Sequence, residues 1–527
     1  MKRLSASRYS CRASLFSMSR NVNLRLILLA CCLMVSSSQD SLFAQDPSHD
    51  VAVGGRVDTE PSGGGGPLNP EVRKKRPARS NAQPTTTRGA RNPSGSKPKP
   101  QPTESLSDKV ENILEEGNAA RDRHKYSDAE SLYRKALGLD AKEARAYMGL
   151  GNIYFDQDKY DQAIEYYRLA IKLQPANAEA YSNLGYSYIR LRKHTEAEPF
   201  IRQALALDPQ STTAITRLGH IYASQKKYNE AIEQYRKAIN LKPDYAEPYN
   251  GLGLTYEQLK NYNQAIEQFK KAISVRPEWI FPYNNLGSLY LAQRRYAEAL
   301  EQFNKTLGLQ LNDAPTYYNL GNVYFEQRKY SEAIDQYNKS VSLKPDFAAA
   351  YVRLGFSYFY QKRYDEAINQ FTKATAAAPD NGGAYNGIGL VYAAQKKYEA
   401  AIEQYQKAIS VTPNWANAYY NLGVAYQLLN KRAEATEAYK KAISISPTWS
   451  SPYINLGNVY YEEKRYTDAL EQYTKAIGIE PNNAAACYNL GLVYIQMKNK
   501  NAAMDQYRRL QTLDPTRAQK LLELINK

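Results

Sequence analysis

The sequence predicts an all-α solenoid, a row of stacked helix pairs of one fixed size. Three observations carry that prediction. From residue 110 the chain realigns with itself every 34 residues, twelve times to residue 517, without an insertion. Inside each unit the apolar residues recur at helical spacing in two blocks, with a polar turn between them. The small residues never move: with the unit numbered 1 to 34, position 8 is Gly and position 20 is Ala in all twelve copies.

The second unit, residues 144–177, shows the pattern. Tyr147, Leu150, Gly151 and Tyr154 stand at positions 4, 7, 8 and 11, one face of a helix. Ala163, Tyr167 and Ala170, at positions 20, 24 and 27, make the face of a second helix, after the turn Asp156-Gln157-Asp158-Lys159. Pro175 at position 32 stops that helix, because it has no N–H and disfavours helix at the residue before it. Glycine in a helix costs ~0.5–1 kcal/mol against alanine, so its recurrence at position 8 calls for two helices that approach closely there. Position 11 is Tyr in every copy but the first, which has Ala120, and this reuse explains 46 Tyr against 12 Phe. Position 32 is Pro except at Ala141 and Leu311.

An aromatic, then Leu-Gly, then Tyr, followed by Ala, an aromatic, Ala and Pro at these spacings, resembles the tetratricopeptide repeat (TPR) over 408 of 527 residues. The resemblance implies a right-handed superhelical solenoid of twelve repeats that passes one full turn, with a concave groove lined by the first helices. Atypical ends are expected of such an array. Residues 104–109 lead into a first repeat that has Glu116 at position 7. Residues 518–527 begin another first helix, with Leu521 and Leu524 at its positions 4 and 7 and Ile525 in place of Gly, and read as a capping helix.

In this family positions 2, 6, 9 and 13 face the groove. Position 6 is Asn183, Asn285, Asn319, Asn421, Asn455 and Asn489, and position 9 adds Asn152, Asn322 and Asn458. A side-chain amide both donates and accepts, so a row of amides can bind an extended peptide backbone. The row is similar to the asparagine ladder in the TPR superhelix of O-linked N-acetylglucosamine transferases. Their catalytic domain is expected to be absent here, since ten residues follow the last repeat. Gly149, Arg217, Gly251, Arg353 and Gly387 interrupt the row, and ordinary repeat usage is the competing explanation. Tyr318, Phe325, Phe356, Phe359 and Tyr360 form an aromatic group in repeats 7 and 8 that either anchors a partner side chain or packs between repeats. Trp279, Trp415 and Trp449, all at position 34, read as packing residues.

Composition narrows the function further. The net charge of +16 is concentrated in residues 1–103, which carry +10, leaving about +6 on the repeats. Specific nucleic-acid binding by the folded part is not expected from so even a balance. Cys487 is alone in the repeats, so no internal disulfide forms there. No P-loop, nucleophile elbow or metal-ligand motif occurs, and His124, His194 and His220 fall in three different repeats. Neither an enzyme nor a cofactor or metal site is expected. Glu–x3–Lys pairs such as Glu267/Lys271, Glu301/Lys305, Glu437/Lys441 and Glu471/Lys475 read as a solvated outer face.

The first 39 residues hold six basic side chains and no acidic one, and residues 26–35 are an apolar run too short to span a bilayer. Residues 1–44 therefore read as a signal peptide cleaved between about 37 and 46, with Cys31 in a loose lipoprotein-like box. An organellar transit peptide is the alternative. Residues 45–103 read as a disordered basic linker, with four glycines at 63–66 and the run Arg73-Lys74-Lys75-Arg76. The expected protein is an exported, non-enzymatic scaffold that holds a protein or extended peptide in its groove. The linker itself reads as a solvated segment, with weak contact to an envelope or membrane surface as the alternative. The alternatives are a substrate-recruiting subunit of a glycosyltransferase or envelope-assembly complex, and polyanion or nucleic-acid binding through the linker.

Overall fold

The computed structural model describes residues 105–527, so the signal-peptide and linker readings lie outside the described residues. The described chain holds 25 helices and no strand, which confirms the all-α repeat fold. Each unit is a first helix such as Ala144–Asp156 and a second such as Tyr160–Leu173. Three residues join the pair and four join one repeat to the next, too few for anything but antiparallel neighbours. In either compact unit, turns within repeats therefore gather on one edge and turns between repeats on the other. The two compact units meet in sequence at Leu311 and Asn312, beside the second of the two positions where Pro is replaced.

Local chemistry explains both helix ends. At position 34, Asn177, Asn381 and Asn483 accept from the backbone N–H three residues on, each at 3.0 Å, satisfying a donor the helix leaves unpaired. Every first helix ends with position 15 in the left-handed region, φ 58–62°, and all twelve residues there are non-glycine. The N–H of Lys396 donates to Ala393 O at 2.9 Å, and that of Lys397 to Tyr392 O at 2.8 Å, the paired bonds of a Schellman turn. Glycine fits such a turn best; another L-residue costs about 1–2 kcal/mol in this conformation. The chain accepts that cost twelve times.

The invariant glycines make room for an aromatic ring in ten of the twelve repeats and for Ile201 in the third. A Cβ on Gly151 would stand 2.6 Å from the ring of Tyr167, its own position 24, and Gly321 meets Tyr337 in the same way. Close approach was expected, and the close neighbour is an aromatic ring. Gly251 and Gly387, at position 6, receive the rings of Tyr235 and Phe371 from the preceding repeat, at 2.6 and 2.5 Å from an added Cβ. Ala129, Ala163, Ala265 and Ala469, at position 20, are all completely buried. A fully buried ring such as Phe269 stabilises by roughly 1.5–3 kcal/mol. The last helix, Pro515–Ile525, performs the capping role: Leu521 sits against Gly491 where other repeats place a ring. On the outer face Glu267–Lys271, Glu301–Lys305 and Glu471–Lys475 pair at 2.7 Å, while Glu437 pairs with Lys440 instead of Lys441.

Candidate functional site

The asparagine ladder exists, and it points inward. Asn285 Nδ2 donates to Asn250 Oδ1 at 2.9 Å, Asn421 Nδ2 to Asn386 Oδ1 at 3.0 Å, and Asn455 Nδ2 to Tyr420 OH at 3.2 Å. Asn489 Nδ2 donates to Asn458 Oδ1 at 2.9 Å, and Asn183 Nδ2 to Asn152 Oδ1 at 3.4 Å. Each bond crosses from one first helix to the one before it. Position-9 amides also anchor their own second helix, for the hydroxyls of Tyr133, Tyr167, Tyr337 and Tyr473 donate to Asn118, Asn152, Asn322 and Asn458.

The placement corrects the groove expectation for most of these residues. Asn183, Asn285, Asn421, Asn455, Asn458 and Asn489 are buried, whereas Asn319 and Asn322 stay partly exposed. Adjacent first helices pack so closely that position 6 falls into their seam, and a buried amide must find a partner there. The partners overlooked in the sequence are Asn118, Asn250, Asn386 and Tyr420. For Asn250, Asn386 and Tyr420 the signal was a spacing, since position 6 meets position 5 of the preceding repeat, 35 residues earlier, while Asn118 lies 15 residues before its partner Tyr133.

The aromatic group divides in the same way. Tyr318, Phe325, Phe356 and Phe359 are buried in the core of the carboxy-terminal unit. Phe356 meets Phe371 at 5.1 Å, Tyr318 meets Phe347 at 5.1 Å, and the Arg353 guanidinium lies 5.2 Å from the Phe325 ring centre. Packing explains these rings. Tyr360, stacked on Tyr330 at 5.2 Å, remains partly exposed. Trp449 is buried against Tyr420 at 4.7 Å, as a packing residue should be.

A polar group on the first helices of the amino-terminal unit centres on Arg217. Its buried guanidinium donates to Ser182 Oγ at 2.5 Å and Asn183 Oδ1 at 3.1 Å, and lies 4.4 Å from the Tyr186 ring centre. Glu179 and Glu247 carry carboxyls raised by desolvation, which the charge of Arg217 partly offsets. Glu179 nevertheless remains exposed to water, so protein surrounds it without covering it. Arg121 and Asp156 pair nearby at 2.6 Å. In the carboxy-terminal unit, burial raises the Glu462 carboxyl beside Arg432, 3.3 Å away. Among the described residues no cluster of His, Cys, Asp and Glu could hold a metal.

A family model for the C-terminal domain of cilia and flagella-associated protein 70 matches residues 83–316. Tetratricopeptide-repeat models match residues 321–361, 389–430 and 457–498, and further such models match 348–381, 416–448 and 484–517. No curated protein matches the chain. Among solved structures, the crystal structure of the APC/C hetero-tetramer Cut9–Hcn1 is 15% identical with a TM-score of 0.42, covering 79% of this chain and 96% of that one. Yeast Tom70 is 16% identical with a TM-score of 0.42, covering 80% and 100%. Likeness at that level carries no argument about partner or activity. The described residues form a solenoid of 34-residue helix pairs, and tetratricopeptide-repeat models match it within residues 321–517.

Proposed function

We propose that this chain is a non-enzymatic scaffold that binds protein partners and works outside the cytoplasm. The observation that carries the binding reading is the repeat array itself, whose first helices bury their amides and apolar groups for stacking and leave charged groups such as Glu179 open to water. Such a surface is suited to holding a partner. Export is supported by the acid-free basic leader and its ten-residue apolar run.

Affinity capture of the native mature protein, with chemical cross-linking and mass spectrometry, tests the binding reading. Cross-links from a protein partner to the first helices are expected; absence of any specific partner would sink it. Amino-terminal sequencing of the same material tests export, with a start between about residues 37 and 46 expected. An intact Met1 on cytosolic protein would refute that half alone.

A further inference from the structure

We infer that the edge of each compact unit carrying the within-repeat turns is a docking surface for an acidic polypeptide segment. The inference rests on the scaffold reading and names the chemistry of the partner. Position 15 adopts a conformation that glycine fits best, yet it is Lys or Arg in nine of twelve repeats. With position 16 included, nineteen of the twenty-four residues are Lys or Arg, and Asp158 is the one acid. Both positions are exposed in every repeat.

The fold accounts for position 16 but not for six of the position-15 cations. Arg295 lies 4.3 Å from the Tyr290 ring centre and 2.6 Å from Glu298. Arg363 and Arg465 repeat the arrangement, over Tyr358 and Tyr460 and against Glu366 and Asp468. Among the described residues, no salt bridge reaches Lys226, Lys260 or Arg294 in one unit, or Arg328, Lys362 or Lys396 in the other. The opposite edge differs in sign: positions 31 to 34 hold ten acidic and five basic residues. The turn residues proper are therefore basic on one edge and acidic on the other, and acids of position 19 such as Glu298, Glu366 and Asp468 pair with position 16 rather than position 15. The even total hid this.

Successive first helices touch through position 6, at an axis spacing of about 8–10 Å, so most repeats offer a position-15 cation at that interval. That interval spans about three residues of extended polypeptide. Duplex nucleic acid, with a charge every ~1.7 Å, would leave most of its phosphates unmatched. Six of the nine position-15 cations are lysines, point charges that need no bidentate partner.

Fluorescence anisotropy of a labelled polyglutamate chain against the mature protein tests the assignment. Lys226→Gly, Lys260→Gly and Arg294→Gly together remove three charges and supply the residue the turn favours, so the fold survives. Binding should weaken roughly tenfold at low salt, with a shallower salt dependence and a melting temperature no lower than wild type. Lys237→Gln, Lys271→Gln and Lys305→Gln, which remove as much charge from second helices, should leave affinity within about twofold if position matters more than net charge. Unchanged binding by the glycine variant, or equal loss in both variants, overturns the proposal. So does tighter binding of a single-stranded oligonucleotide than of polyglutamate. Partner capture unaffected by the glycine variant would overturn it while leaving the scaffold reading intact.

Discussion

Asn458 Oδ1 accepts two hydrogen bonds, from Tyr473 OH at 2.7 Å and from Asn489 Nδ2 at 2.9 Å. One amide thus ties its own second helix and the next first helix to a single point. Asn458, Asn489 and Tyr473 are all buried, so none of these bonds can be exchanged freely with water. The relationship turns a ladder expected to bind peptide into one that holds repeats together.

Asn458→Ala and Asn489→Ala should each destabilise the carboxy-terminal unit by ~1–3 kcal/mol, since each leaves a buried partner unpaired. The double variant should cost less than the sum, because the two side chains share one bond. Urea unfolding of the four proteins in the cycle measures both effects. Wild-type stability in either single variant would show that the amides are not structural.

Tyrosine to phenylalanine at position 24 should have opposite effects in two repeats. Tyr473→Phe deletes the donor to Asn458 and is expected to cost ~1 kcal/mol. The Tyr405 hydroxyl is buried with no hydrogen-bond partner, and position 9 of its repeat is Leu390 where four repeats have Asn. Tyr405→Phe should be neutral or stabilising, because it removes an unsatisfied polar group and keeps the ring. Thermal melts of the pair decide the matter.

Lys396→Gly should stabilise by ~0.5–1 kcal/mol: relief of left-handed strain, less the extra freedom of unfolded glycine. Ala at the same site should gain nothing, since it keeps a Cβ. Denaturation midpoints compare the two variants directly.

The pH dependence of the amino-terminal unit should carry a histidine component. Burial, assisted by the charges of Arg217 and His194, lowers His220 from 6.5 to about 4. The unfolded chain then binds more protons than the folded one across that interval. The stability is fully present above about pH 6.5 and is lost as pH falls towards about 4. His220→Gln should remove this slope. Glu179 and Glu247, whose raised carboxyls favour the folded state on acidification, contribute to both proteins and cancel in the comparison. Superimposable pH–melt curves would show that His220 titrates normally.

Periodicity alone was enough to determine the helix pairs, their turns and the buried stripe. Gly at position 8 and Ala at position 20 report a local fit between two helices of one repeat, and twelve copies make such a requirement plain. Tertiary structure decided what position 6 does, because its surroundings come from a first helix 34 residues away. Asn421 finds Asn386 only after two repeats stack, and the same reading of one helix surface would place it in solvent. Stacking likewise buried Tyr318, Phe325 and Phe356, and within each compact unit it aligned the position-15 cations along one edge. A helical wheel shows which face a residue shares, whereas burial depends on the distance to the next helix, and that distance is set by packing.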